Sequence, residues 1–70
     1  MNKNARRAVS LSRRLAEVTP QYFRAEEWVR ESWDYGHLAH SSAAHVRDML
    51  LRRRRRLMDA IDSMPPIRGV

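Results

Sequence analysis

Arginine side chains carry most of the chemistry that this sequence offers. Thirteen of the 14 basic residues are arginines, and five of them stand in a row at 52–56, between the apolar pairs of LLRRRRRLM. A guanidinium group forms planar, two-pronged hydrogen bonds to phosphate and carboxylate groups. With a net charge of +6 on 70 residues, the chain is predicted to bind a polyanion, either a nucleic acid or an acidic protein surface.

The arginines differ in the helix face that they occupy. Successive helix positions are about 100° apart, so the five arginines at 52–56 point in every direction and cannot share one solvated face. Arginines along an exposed helix face suit the phosphates of a groove or of a structured RNA. The residues predicted to contact nucleic acid are Arg6, Arg7, Arg13, Arg14, Arg52, Arg55 and Arg56. The alternative for these residues is a basic face that is only solvated.

Arg53 is predicted to have a different environment. Alternating steps of three and four residues, starting at Ala8, place Arg53 between Leu50 and Leu57 on the apolar stripe of a coiled coil. A guanidinium group that faces a core needs a carboxylate partner, or else its stem packs while its charged end reaches water. The carboxylate would come from the acidic residues in 26–34 or from a partner molecule. Arg53 is therefore a candidate partner-binding residue.

All five aromatic residues of the chain lie between positions 22 and 35. Because Trp and Tyr dominate the binding energy of protein interfaces, Trp28, Trp33 and Tyr35 are candidates for contacting another protein. One alternative is that the aromatic rings pack in the core of a helical domain. The other is that nucleic-acid bases stack on Trp28 or Trp33, which the acidic surroundings of this segment disfavour.

Catalysis and metal binding are not predicted. The chain has no Cys, and His37, His40 and His45 lack the spacing to carboxylates or thiols that completes a metal site. No glycine-rich phosphate loop or nucleophile motif is present. A chain of 70 residues also has little interior in which to shield a reaction from water. A protein that is not an enzyme and has no cofactor is expected.

The elements that must position these residues are predicted to be helices. Strong helix formers fill the chain between the few glycines and prolines, which fall at 20, 36, 65, 66 and 69. Thr19-Pro20 and Gly36 are predicted breaks, which gives an all-α fold of three helices over about 4–18, 20–35 and 42–63. Because the three-and-four pattern continues through Gly36, an alternative merges the second and third helices into one. Residues 1–64 are expected to form one small domain and residues 65–70 a flexible tail.

Charge follows the chain in three blocks. Residues 1–24 carry +5, residues 25–51 carry −3 and residues 52–70 carry +4. If the chain folds back on itself, the acidic middle block is expected to neutralise part of either basic block.

The length of the chain limits its core. A domain of this size without disulfides is marginally stable, so a dimer or a partner-stabilised protein is predicted. No apolar run approaches the roughly 20 residues of a membrane span, and the N-terminus lacks the apolar core of a signal peptide. A cytoplasmic protein that does not bind membranes, and that is nucleoid-associated if it binds DNA, is expected.

Two functions follow from these patterns. The first is a small helical regulator that binds DNA or RNA through the arginine-rich helix faces, as a dimer. The second is an adaptor or inhibitor, of the kind common in phages and mobile elements, that docks on a larger protein or nucleoprotein machine through its aromatic segment and arginines. A helical dimerisation module without further activity is a third reading.

Overall fold

A computed structural model of the chain describes residues 2–65, which form an antiparallel helical hairpin. Helix α1 spans Lys3–Glu31, a 3₁₀ turn spans Ser32–Tyr35, and helix α2 spans His37–Asp62. The hairpin is a rod with extents of 55 × 16 × 13 Å. The described residues contain helices and no strands, which confirms the all-α prediction.

Helix α1 begins where a side chain can cap it. The Asn2 Oδ1 atom accepts a hydrogen bond from the backbone N–H of Ala5 at 2.7 Å, which satisfies one of the unpaired donors at the helix start. From Ala8 onward the predicted three-and-four stripe faces α2. Its members are all buried or half-buried: Ala8, Leu11, Leu15, Val18, Tyr22, Ala25, Val29 and Ser32.

The predicted break at Thr19-Pro20 is wrong, because α1 continues through Pro20 without interruption. Proline removes one backbone donor, and inside a helix it costs roughly 3 kcal/mol. Pro20 lies on the exposed outer face, where water can hydrogen-bond the carbonyl group that loses its partner. Thr19 is half-buried, and its hydroxyl donates to the Leu15 carbonyl oxygen at 2.8 Å. Packing of the long apolar stripe against α2 therefore outweighs the local stop signal.

The chain reverses at Gly36, so the alternative in which the second and third helices merge is also wrong. Gly36 has φ of 100°, a backbone conformation that strains any residue with a side chain. The requirement for glycine comes from this backbone angle alone, because an added Cβ atom would meet no neighbouring atom. The following helix was predicted to start near residue 42 but begins at His37. The reason lies in His40, whose Nδ1 atom is 3.1 Å from the Ser32 Oγ atom and 3.3 Å from the Val29 carbonyl oxygen. This contact holds the first turn of α2 against the end of α1.

The buried stripe of α2 shares every second position with the predicted stripe, and at the other positions it is displaced by one residue. Its buried and half-buried members repeat at His40, Ala43, Arg47, Leu50, Arg54, Leu57, Ile61 and Met64. The predicted frame contained Val46 and Arg53 instead of Arg47 and Arg54. Both of the predicted residues are exposed, so the placement of Arg53 on the buried stripe is wrong. The frame of α1 could not be extended across Gly36, because the 3₁₀ turn and the reversal reset the helical phase.

The core between the helices is thin. Its buried apolar residues are Leu11, Val18, Ala25, Val29 and Ala43. Two of these five are alanines, and Ser32 is also fully buried, which lets the backbones approach closely near the turn. Nine large apolar side chains stay exposed. Such a hairpin has little hydrophobic stabilisation of its own.

Charge is separated along the rod. We call residues 2–19 and 52–65 the basic half and residues 20–51, which surround the reversal, the turn half. The basic half carries ten cations and three carboxylates, a formal charge of +7, and the turn half carries −2. The antiparallel arrangement brings the two basic ends of the chain together. The expected neutralisation of a basic block by the acidic block is therefore wrong.

Neither α1 nor α2, the helices that make up nearly all of residues 2–65, contains an apolar stretch sufficient to cross a bilayer. The predicted tail lies outside the described residues except for Pro65.

Candidate nucleic-acid interface

Of the five arginines at 52–56, one faces the other helix and four are exposed on the surface of α2. Arg54 is half-buried between the helices, where its Nε–H donates to the Thr19 hydroxyl at 3.4 Å. Its guanidinium carbon lies 5.9 Å from the centroid of the Tyr22 ring, a distance that allows a cation–π interaction. Arg52, Arg53, Arg55 and Arg56 are exposed. Arg54 thus holds α2 in place while its neighbours remain available to ligands.

Six exposed arginines line a continuous surface across both helices. Three shallow recesses together form this surface, and each recess shares at least one residue with the next. The first lies on α1 and includes Arg6, Arg13, Arg14 and Glu17. The second lies between the helices and joins Arg14 and Glu17 to Val18, Gln21 and Arg53. The third lies on α2 and joins Arg53 to Met49, Arg52 and Arg56. We call this surface the basic band, made of Arg6, Arg13, Arg14, Arg52, Arg53 and Arg56.

Two predicted nucleic-acid-binding residues lie outside the basic band. Arg7 lines another recess, at the open end of the hairpin, together with Ala60 and Met64. This recess shares no residue with the three that form the band, although Arg7 and Ala60 continue the groove between Arg14 and Arg53 by two helical turns. Arg55 lines none of the three recesses; it is about 200° from Arg53 around the helix but only about 60° from Arg52, so it lies beside the band. Arg53, which was expected to bind a protein partner, instead connects the α1 and α2 parts of the band.

The positive charge of the basic band is hardly neutralised by carboxylates of the described residues. Within residues 2–65 the only ion pair joins Arg47 to Asp48, at 3.1 Å, and lies in the turn half. Glu17 is the only carboxylate that lines the three recesses, and it forms no ion pair with a band arginine. Guanidinium groups gathered without partners repel one another, and an anionic ligand relieves that repulsion.

The aromatic residues lie away from the basic band, and most of them are exposed. Phe23, Trp28, Trp33 and Tyr35 are 46–79% exposed, so the expectation that the aromatic cluster forms a core is wrong for these four. Tyr22 is half-buried, and its hydroxyl donates to the Glu26 Oε1 atom at 2.8 Å. That hydrogen bond, followed by burial and by the negative charge of Glu26, raises the pKa of Tyr22 above its ordinary value.

The three histidines do not come together. The His40 ring stacks on Trp33, with centroids 3.7 Å apart and an angle of 28° between the planes. Because the Ser32 hydroxyl donates to the Val29 carbonyl oxygen, at 2.8 Å, the His40 Nδ1 atom is placed to donate to Ser32. His37 and His45 are exposed. Over residues 2–65, no three His, Asp or Glu side chains form a group that could hold a metal ion.

Comparisons of the chain with protein-family models, with curated proteins and with solved structures found no significant match.

Most of the band was visible in the sequence as pairs of arginines, but the role of Arg53 was not. The signal that would have found it is the histidine at 40. Counting three and four from His40, instead of carrying the frame over from α1, places Arg54 on the buried stripe and Arg53 on the surface.

Proposed function

We propose that this protein is a non-enzymatic regulator that binds double-helical nucleic acid through the basic band. The observation that supports the proposal is the continuity of the band. Six arginines from two helices line one surface, none of them is ion-paired within residues 2–65, and five of the eight carboxylates lie in the turn half of the rod. The phosphate backbone is the ligand that such a surface complements.

The shape of the hairpin favours contact with the backbone over reading of base edges. The major groove is about 12 Å wide and admits a single helix. The hairpin measures 16 × 13 Å across its Cα positions alone, so the two helices that carry the band do not both enter a groove. Contacts to phosphates position a protein but carry no sequence information directly. Weak dependence on base sequence is therefore part of the proposal.

The position of the aromatic rings favours a duplex over a single strand. Proteins that bind single strands combine a basic groove with aromatic rings on which bases stack. No aromatic side chain lines the three recesses of the basic band. The band can therefore neutralise phosphates but offers no stacking surface beside them.

Fluorescence anisotropy with labelled duplex DNA, duplex RNA and single strands, at several salt concentrations, tests this function. Each neutralised phosphate contributes about −0.9 to the slope of log K against log salt, so engagement of all six arginines gives a slope of about −5 on duplex DNA. A duplex is expected to bind more tightly than a single strand of equal length. A slope shallower than about −2, or a preference for single strands, would contradict the proposal.

The proposal also includes the oligomeric state and the location of the protein. The regulator is proposed to act as a homo-oligomer or within a hetero-complex, because few apolar residues are buried in one hairpin. Its proposed location is the cytoplasm, in association with the nucleoid where the bound duplex is DNA.

A second candidate function is supported by the apolar residues around the reversal. Trp33, Tyr35 and Leu38 are 70%, 79% and 82% exposed at one end of the rod. An adaptor or inhibitor, phage-like in its small size, would dock these residues on a larger protein or nucleoprotein machine. In that case Trp33→Ala and Tyr35→Ala would abolish capture of a partner from a cell lysate while leaving affinity for duplex DNA unchanged.

A further inference from the structure

An apolar patch continues the groove that contains the centre of the basic band. Gln21 of α1 and Arg53 of α2 line the groove between the helices. Seven residues, or two helical turns, return a side chain to nearly the same face. Trp28 lies seven residues after Gln21, and Val46 lies seven residues before Arg53, so both positions are closer to the reversal. These two side chains therefore flank the same groove in the turn half.

Met49 enlarges this patch on α2. It lies three residues after Val46, and it lines the recess that contains Arg52, Arg53 and Arg56, which places it on the same side of the hairpin. Trp28, Val46 and Met49 are 46%, 37% and 55% exposed. We call these three residues the apolar patch. The nearby groove positions are small, Ala39 and Ser42, so they leave room for the close approach of another surface.

We propose that the apolar patch is a self-association surface on which a second copy of this chain binds in antiparallel orientation, about a two-fold axis near Trp28. This deepens the oligomer proposed above by naming its surface, and it does not require that nucleic acid is bound. A two-fold interface uses the same patch on both copies, so the patch must complement itself.

The charges beside Trp28 show this self-complementarity. Arg24 lies four residues before Trp28 and Glu31 lies three residues after it, so both are on the same side of α1 as the patch. Both side chains are exposed, and neither is ion-paired within residues 2–65. When two α1 helices meet antiparallel near Trp28, Arg24 of each copy faces Glu31 of the other. Glu27, which lies between them on α1, comes close to its own copy at the axis in either orientation, so it does not favour a parallel pair. A parallel pair would instead place Arg24 against Arg24 and Glu31 against Glu31, which is repulsive.

The separation of charge along the rod also supports a second copy of this chain as the molecule that binds the apolar patch. Contact between two turn halves joins regions with a formal charge of only −2 each, so the repulsion between them is small, and it leaves the two basic halves, +7 each, at opposite ends of the dimer. Contact between basic halves would oppose charges of equal sign at short range. The second copy therefore meets the basic band only at Met49, on the edge of one recess, and the band arginines remain open to a ligand.

The size of the patch predicts how tight the association is. From Ala39 to Met49 the helix rises about 15 Å, and the hairpin is 16 Å across, so the contact area is well below the roughly 800 Å² per partner of a standard interface. A weak and reversible dimer is therefore expected.

Sedimentation equilibrium of the full chain over a range of about 5 µM to 1 mM, without nucleic acid, tests the proposal. Val46→Glu is expected to weaken the dimer at least about tenfold, because it buries a charge in the contact, and Val46 lines none of the recesses of the basic band. Phe23→Glu is the matched control, since Phe23 is 54% exposed on another face of α1, and it should leave the Kd unchanged. Circular dichroism checks that both variants keep the helical content of the wild type.

A charge exchange tests the antiparallel orientation. Arg24→Glu and Glu31→Arg are each expected to weaken the dimer by roughly threefold to tenfold, and the double variant should restore most of the affinity. A chain that is monomeric at 1 mM, or two single variants whose losses simply add in the double variant, would overturn the proposal. Anisotropy with a short duplex remains a separate readout, because loss of the dimer alone should leave the basic band of each monomer intact.

Discussion

At the scale of single residues, the main departure from simple packing rules is a charged side chain on the buried stripe. Arg54 lies between the helices without a carboxylate partner among residues 2–65, held by a long hydrogen bond to Thr19 and by the Tyr22 ring. Desolvating a charge costs more than such contacts usually return, so an apolar side chain of similar length is the better packing solution. We therefore expect Arg54 to contribute more to the register of the two helices than to the stability of the hairpin.

Arg54→Met is expected to stabilise the hairpin by about 1 kcal/mol in urea denaturation. Arg53→Met removes the same charge from the exposed neighbouring position and should change stability by less than about 0.5 kcal/mol. If Arg54→Met instead destabilises the protein and Arg53→Met does not, the contacts to Thr19 and Tyr22 are net stabilising and the argument from desolvation is wrong.

The pKa of Tyr22 gives a second prediction at this scale. The hydrogen bond to Glu26, then burial and the charge of Glu26, raise that pKa and stabilise the neutral phenol in the folded state. The resulting stabilisation is present below the ordinary tyrosine pKa of about 10 and is lost as the pH rises through the raised value. In a Tyr35→Phe background, Glu26→Gln should lower the pKa of Tyr22, as followed by phenolate absorbance. Superimposable titration curves would show that Glu26 does not hold the phenolic proton.

At the scale of elements, the sequence predicts helix content and the reversal better than helix boundaries. The α1 stripe from Ala8 to Ser32 was predicted correctly, because a helix that packs along one face must repeat apolar residues at three and four. The end of the first helix at Thr19-Pro20 was not, because a local stop signal says nothing of the α2 surface that the continued helix covers. Every second position of the predicted α2 stripe was displaced by one residue. The rotation of α2 relative to α1 depends on the geometry of the turn at Gly36, which no pattern of apolar residues specifies.

Pro20→Ala tests whether α1 is continuous. In a helix interior Ala is favoured over Pro by roughly 3 kcal/mol, and Pro20 is exposed, so the variant should be more stable by up to about that amount. Thermal denaturation followed by circular dichroism measures the change. A variant that is less stable than the wild type would mean that the chain needs the proline break, as a structure of three helices would.

At the scale of the whole molecule, function depends on a juxtaposition that charge counting could not predict. Arg14 and Arg53 are distant in sequence, and only the antiparallel hairpin places them in one groove. The sequence predicted five of the six band arginines as phosphate contacts, on the basis of residue type and helical face. It could not predict that Arg53 lines the band while Arg55 lines none of its recesses, because that depends on the phase of α2 and on where the chain turns.

The most direct test of the account compares two double variants that remove equal charge from different places. Arg14→Gln with Arg53→Gln removes two arginines from the groove at the centre of the basic band. Arg30→Gln with Arg55→Gln removes two exposed arginines that lie outside it. Both proteins are titrated with duplex DNA by anisotropy at several salt concentrations. The first pair is expected to reduce the salt slope by about 2, while the second leaves the slope nearly unchanged. Equal losses in both variants would show that only net charge attracts the duplex, and would contradict a localised binding surface.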